Sequence, residues 1–350
     1  MTGPASAEIE KVARLSYGRL VATLAARTGS VDAAADLLSD SLLRALETWP
    51  ERGIPDRPEA WLIATARNRA TDAVRHARVA RAAEAHLVLL EEERTEMAEA
   101  VTPDQTLNLM FVCAHPAIDA RMRTPLMLQL VLGLDAGRMA QAFLVPPGTL
   151  GQRLTRARAK IEGARIGFAL PEPQDMAPRL GHVLDAVYAA YTVGADGLAT
   201  GDVKSTSLAQ EALWLASLLA ARMPDQPEAQ ALFALMLYSE ARRPARRGAE
   251  GAYVALEDQN PALWDAAMIA EADAVMRRAT ANPTLGRYQI EAAIEAVHSD
   301  RRRTGCTDWP AIAGLYRGLQ ALHPTIGALT GLAAALGETE GARAGLAVLD

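Results

Sequence analysis

The side chains best equipped for chemistry in this 350-residue chain are basic and amide groups set at helical spacing. Between Pro58 and Arg81, the residues Arg67, Asn68, Asp72, Arg75, Arg78 and Arg81 leave an apolar stripe for a polar face. That stripe runs through Trp61, Leu62, Thr65, Ala66, Ala70, Ala73 and Val74, with the stem of Arg69 able to lie along it. Guanidinium groups hold phosphate oxygens and guanine edges, and a carboxamide matches adenine. A helix with one dry side and one arginine–asparagine side therefore points to nucleic acid. Further along, Thr149, Gln152, Arg153, Arg156, Arg158 and Lys160 form a second such face, opposite Leu150, Leu154, Ala157 and Ile161.

Each face needs a scaffold. Pro58 opens the first basic helix, since a proline's missing N–H is not needed in a first turn. The helix is expected to extend toward Met97. Before it, the pattern predicts helices over about 5–27 and 31–48, with Gly29 ending one and Ser30 capping the next. Their stripes are read as Ile9, Val12, Leu15, Leu20 and Leu24, then Leu37, Leu38, Leu42, Leu43 and Leu46. An acidic stretch, Glu91–Glu99, separates the two basic helices, and Thr102 is expected to cap the helix that follows. Pro125 sets the start of the next helix near Thr124, with its end at Gly133. Asp135 then caps a short helix carrying Met139, Ala140 and Phe143, Val145-Pro146 turns, and Pro147 opens the second basic helix. A short helix, a tight turn and a basic second helix make a helix-turn-helix.

Composition sets the class. No run alternates β-branched and polar residues between turn signals, and Ala, Leu and Arg dominate, so the chain reads as all-α. The net charge is −6, but residues 1–165 are near neutral and residues 166–350 strongly acidic. Local basic faces decide nucleic-acid binding, whatever the total. Two distant cysteines, Cys113 and Cys306, build no disulfide framework or zinc site, and Cys113-Ala-His115 offers too few ligands for a metal. No window reaches a membrane span and no signal peptide is visible, which predicts a cytoplasmic protein. There is no phosphate loop and no catalytic carboxylate pair, so neither an enzyme nor a cofactor is expected. Beyond Pro171, helices over about 175–194, 204–223, 227–243, 261–280, 284–299, 308–322 and 325–350 suggest stacked hairpins of tetratricopeptide type. The arginines at 242–247 and 301–303 read as loop charges.

The two basic helices, in this order and at this spacing, carry a resemblance. The chain resembles the extracytoplasmic-function sigma factors of the sigma-70 family, in the subgroup with a helical C-terminal extension. The motifs are Asp32–Pro50, Trp61–Arg75, Ala142-Phe-Leu-Val-Pro, Gln152–Ile161, Phe111–Ala117, and in the extension Leu256-Glu-Asp-Gln, Tyr288–Ile294 and Thr307-Asp-Trp. The resemblance implies region 2 over 1–97, a linker at 98–103, region 4 over 104–170 and a regulatory array over 171–350. It further implies core RNA polymerase and promoter DNA as partners, with a regulatory partner for the extension. By the same match Asp36, Asp40 and Arg44 contact polymerase. The 67–78 face (Arg67, Asn68, Arg69, Asp72, Arg75, Arg78) melts and reads the −10 element, and the 149–160 face reads the −35 element. Arg138, Gly148, Gly151, Ala35 and Ala114 depart from the family pattern, which predicts weakened −35 recognition. The rival expectation is a helical-repeat interaction protein whose sigma-like half no longer reads promoters.

Overall fold

The computed structural model describes residues 3–79, 103–164, 166–197, 203–248, 251–281 and 285–349. Among them are sixteen α-helices and no strand, with one isolated antiparallel bridge between Arg247 and Tyr253. The all-α expectation holds. The chain forms two compact units, residues 1–190 and 191–350.

In the first unit, α1 (Pro4–Leu15) and α2 (Tyr17–Thr28) replace the single helix expected over 5–27. The break at Ser16 has a distant cause. The buried Ser16 hydroxyl donates to Glu59 and accepts from Arg19 Nη2 at 2.9 Å. Gly29, in the left-handed region at φ 69°, ends α2, and Ser30 accepts from the Ala33 N–H to cap α3 (Val31–Arg52). That helix runs past the expected end at Thr48 and carries Pro50 in its last turn. Its buried side is made of Val31, Ala34, Ala35, Leu38, Ser41, Ala45 and Trp49. Leu43 and Leu46, read from the pattern as inward, are exposed instead. α4 (Pro58–Val79) begins at its proline as expected and buries Leu62 and Ala66. Its expected extension to Met97, the acidic stretch and the Thr102 cap lie outside the described residues.

α5 (Pro103–Cys113) is buried along Leu107, Leu109, Met110 and Phe111. α6 (Ala120–Leu132) starts a turn earlier than Pro125 suggested, because Asp119 accepts from the Arg121 N–H and caps it. Gly133 ends it at φ 64°. Asp135 caps α7 (Ala136–Ala140), which is shorter than expected: Phe143 lies in the turn that follows. α8 (Pro147–Gly163) buries Leu150, Leu154, Ala157 and Ile161, the four residues its periodicity assigns to the inside. α9 (Pro173–Gly197) runs on toward the second unit.

The second unit continues with α10 (Val203–Arg222), α11 (Pro227–Ala241), α12 (Ala266–Ala279), α13 (Arg287–Thr304), α14 (Trp309–Leu322), α15 (Ile326–Glu340) and α16 (Ala342–Leu346). The helix expected from 261 is a 3-10 turn at Pro261–Leu263, and α12 starts where Asp265 caps it. The helix expected over 325–350 divides at Gly341, φ 94°. Gln230 Nε2 donates to the Ala220 carbonyl at 2.6 Å and Gln289 Nε2 to the Ala279 carbonyl at 2.8 Å. Each ties a helix start to the end of the helix before it, so α10–α11 and α12–α13 repeat one device. The Glu228 carboxylate accepts from the N–H groups of Tyr288 and Gln289, at 3.0 and 3.1 Å, and satisfies the first turn of α13.

Candidate nucleic-acid and polymerase interface

Three surfaces of the first unit carry the groups singled out from the sequence. The first is the outer face of α3. Asp36, Asp40 and Arg44 are all exposed at i, i+4, i+8, one stripe of a helix. Leu43 and Leu46 stand beside them, 59% and 46% exposed. Apolar side chains next to a charged stripe suit docking on another protein. Ala35, which departs from the family pattern, is buried.

The second surface is α4 and the loop leading into it. Asn68 and Arg69 are exposed and Arg67 is half-buried. Arg69 Nη1 lies 2.5 Å from Asp40, so it leaves the apolar stripe and joins a polymerase candidate to a DNA candidate. Asp72, Arg75 and Arg78 fall within the backbone of α4, but their side chains lie outside the described residues.

At the base of α4 is an open cavity of about 570 Å³ that sequence reasoning did not locate. Its walls come from the end of α3 and the loop, with Trp49, Ile54, Pro55 and Trp61 as apolar parts and Arg44, Glu47, Glu51 and Arg52 as polar ones. The rings of Trp49 and Trp61 meet edge to face, centroids 5.5 Å apart. Trp49 is 2% exposed and its indole N–H has no hydrogen-bond partner. A buried donor left without an acceptor costs free energy. The Trp49-Pro50 and Trp61 pair, bracketing a breaker-rich loop, was the available signal.

The third surface is the outside of α8. Gln152, Arg153, Arg156 and Lys160 are exposed and Thr149 is half-exposed, a continuous polar face along the helix. Arg158 does not join them. It turns back to α3, where its Nε lies 3.3 Å from Asp32 Oδ1. Gly148 and Gly151 sit in the first turns of α8, and nothing lies within 4 Å of a Cβ at Gly148. Arg138 is exposed on α7. Leu144, in the turn between α7 and α8, is 92% exposed and is the described non-glycine residue with positive φ, 51°.

The remaining candidates are held in structural roles. Cys113 is fully buried, which pushes its thiol far above its ordinary range. His115 Nδ1 accepts from the Ala117 N–H at 3.1 Å, and His182 lies 2.6 Å from Arg123. In the second unit, Arg242 is buried against Glu295 and Arg246 donates to the Ser239 carbonyl at 2.8 Å. Arg301 donates to the carbonyls of Glu257 and Gln259, at 2.9 and 2.5 Å, and lies over Trp264. These arginines brace the loop between α11 and α12. No group of three or more potential metal ligands occurs among the described residues, nor a helix long and apolar enough to cross a membrane.

Comparison with known proteins bears on each half. Residues 14–79 match the Sigma-70 region 2 family, a stretch that contains α3, the cavity and α4. Residues 179–280 match a family of unknown function, DUF6596. The uncharacterized protein R00370 of Rhizobium meliloti (strain 1021) is 37% identical over 327 residues, which is 92% of this chain and 77% of that protein. No solved structure matches the chain.

Proposed function

We propose, from the Sigma-70 region 2 match over residues 14–79, that the chain is an RNA polymerase sigma factor of the sigma-70 family that directs promoter-specific initiation, as a member of one family with the Rhizobium protein along most of its length. It works by binding, as an extracytoplasmic-function type with a regulatory helical extension, in the cytoplasm and without catalysis or cofactor. The observation that carries this reading is the region 2 match over a helix pair whose outer faces are charged and exposed.

On this reading Asp36, Asp40, Arg44 and the exposed Leu43 and Leu46 meet the polymerase. The 67–78 face of α4 holds the −10 strand. A base unstacked during melting enters the cavity beside Trp61, where an aromatic wall offers stacking. α8 lies in the major groove at the −35 element, with Arg153 and Arg156 as readers. The tetratricopeptide-like array receives a regulatory partner. Run-off transcription with core polymerase, on promoters enriched from genomic DNA, tests the reading. Specific transcripts that vanish on Arg67→Ala plus Arg75→Ala are expected. Failure of both the full chain and residues 1–170 to bind polymerase would overturn it in favour of a helical interaction protein.

A further inference from the structure

The Phe111–Ala117 motif has no task in the sigma reading, yet its histidine, His115, stands at a seam. The turn between α5 and α6 meets α9 there. α9 buries Leu180, Val183, Leu184 and Val187, an apolar stripe indifferent to pH. At its edge the contacts are polar. Arg123 of α6 donates from Nε to the Ile118 carbonyl at 3.1 Å and from Nη2 to the Pro116 carbonyl at 3.3 Å. Those two bonds fix the guanidinium on the turn. Its Nη1 lies 2.6 Å from Nε2 of the half-buried His182 of α9. A guanidinium has donors only, so this nitrogen of His182 must accept.

His115 repeats the arrangement on the turn itself. Its Nδ1 accepts from the Ala117 N–H at 3.1 Å, so its ring proton sits on Nε2. Arg179 and Asp175 of α9 and Arg123 of α6 face it. Arg123 of α6 and Asp185 of α9 face His182. Each imidazole presents an acceptor nitrogen to a fixed N–H donor, and each bond exists only while that ring is neutral. A proton added there sets N–H against N–H and puts a new charge beside Arg123. Burial first, and then the neighbouring arginines, hold both rings below their ordinary value of 6.5, with Asp175 and Asp185 opposing. A depressed imidazole contributes stability that is complete above pH 6.5 and lost as pH falls below it, because the released ring takes up the proton more readily.

We propose that this seam is a proton-sensitive joint, in which two neutral imidazoles fasten α9 to the α5–α6 turn and a proton taken from acidified solvent on either acceptor nitrogen releases it. The joint stands whether or not the chain is a sigma factor. Its consequence rests on that reading: a proton signal sets how firmly α9, where the DUF6596 match begins, is held beside the helices of the −35 reader.

Amide hydrogen exchange of the full chain, read by mass spectrometry and corrected for the intrinsic pH dependence of exchange, tests the joint. Protection of residues 180–187 is expected to hold between pH 7.5 and pH 6.5. By pH 5.5, one unit below the ordinary histidine value, it is expected to fall by up to about tenfold for each histidine and up to about a hundredfold for both. α11, which carries no histidine, is the internal control and is expected to keep its protection. Glutamine and asparagine keep an acceptor where Nε2 and Nδ1 stand but take no proton. His182→Gln and His115→Asn are each expected to remove one share of the loss, and the double variant to show none. His182→Arg sets a fixed charge against Arg123 and is expected to show at pH 7.5 the low protection that the parent shows in acid. Protection of 180–187 that ignores pH in the parent, an equal loss in the double variant, or a loss that α11 shares overturns the joint. So does parent-like protection of His182→Arg at pH 7.5.

Discussion

Replacing Arg153, Arg156 and Lys160 together by glutamine is expected to flatten the salt dependence of promoter binding. All three project from the exposed face of α8, spaced to follow one groove wall. Each phosphate neutralised contributes about 0.9 to the slope of log affinity against log salt, so three cations account for about 2.7. Between 50 and 200 mM salt, a fourfold change, the unmodified protein should therefore lose about 40-fold more affinity than the triple variant. Fluorescence anisotropy of the polymerase-loaded protein on a duplex carrying both elements measures this, with polymerase binding followed in parallel. Glutamines at Arg277, Arg278 and Arg302, three exposed cations of the second unit, supply the control. A triple variant of α8 with the original slope, or a control that flattens it equally, would refute the assignment of that face to DNA.

Three further outcomes follow from the geometry. Trp61→Ala should slow promoter opening by about tenfold, for a lost stacking contact of about 1–3 kcal/mol, while duplex binding persists; permanganate footprints that develop at the original rate would count against the cavity. Gly151→Ala should stabilise α8 by up to about 1 kcal/mol, since the added Cβ meets only the Ala136 methyl at 4.0 Å, and calorimetry reads the change. In the second unit, burial works to raise the Glu295 carboxyl, but the charge and hydrogen bond of Arg242 bring it below its ordinary value of 4.5. A depressed carboxyl contributes stability that is complete above pH 4.5 and lost as pH falls through the folded value. Glu295→Gln should remove that acid dependence and cost about 3 kcal/mol at neutral pH, by leaving the buried Arg242 charge unpaired; denaturant melts at pH 7 and pH 4 check both parts.

Much of the fold was legible because it is local. The inward residues of α8, the Gly29-Ser30 punctuation and the Asp135 cap depend on neighbours within a turn or two, and all are as the sequence suggests. The misread elements depend on distant partners. The break at Ser16 is held by Glu59, forty-three residues on, and no periodicity can register that contact. The inner side of α3 shows a second kind of failure. It packs against α1, α2, α4 and α8, and so much close contact admits small residues. Ala34, Ala35, Ser41 and Ala45 make up much of it, together with Val31, Leu38 and Trp49, while Leu43 and Leu46 go outside. A reading that ranks residues by hydrophobicity puts those leucines in the core.

The same logic separates Arg156 from Arg158. Two residues apart on one helix, they differ by more than half a turn, so one faces solvent and the other faces whatever the helix packs on. Counted along α8 alone, both are cations available to phosphate. Asp32 lies 126 residues earlier, and only the packing of α8 on α3 makes it the partner of Arg158. Chemistry of this kind, a cation on a helix, reads directly from sequence. Its assignment to DNA or to a neighbouring helix is a tertiary fact. In this chain that fact brings two candidate DNA-reading helices to one scaffold helix, where the pairs Arg69–Asp40 and Arg158–Asp32 occupy acids of the helix that also carries the polymerase candidates.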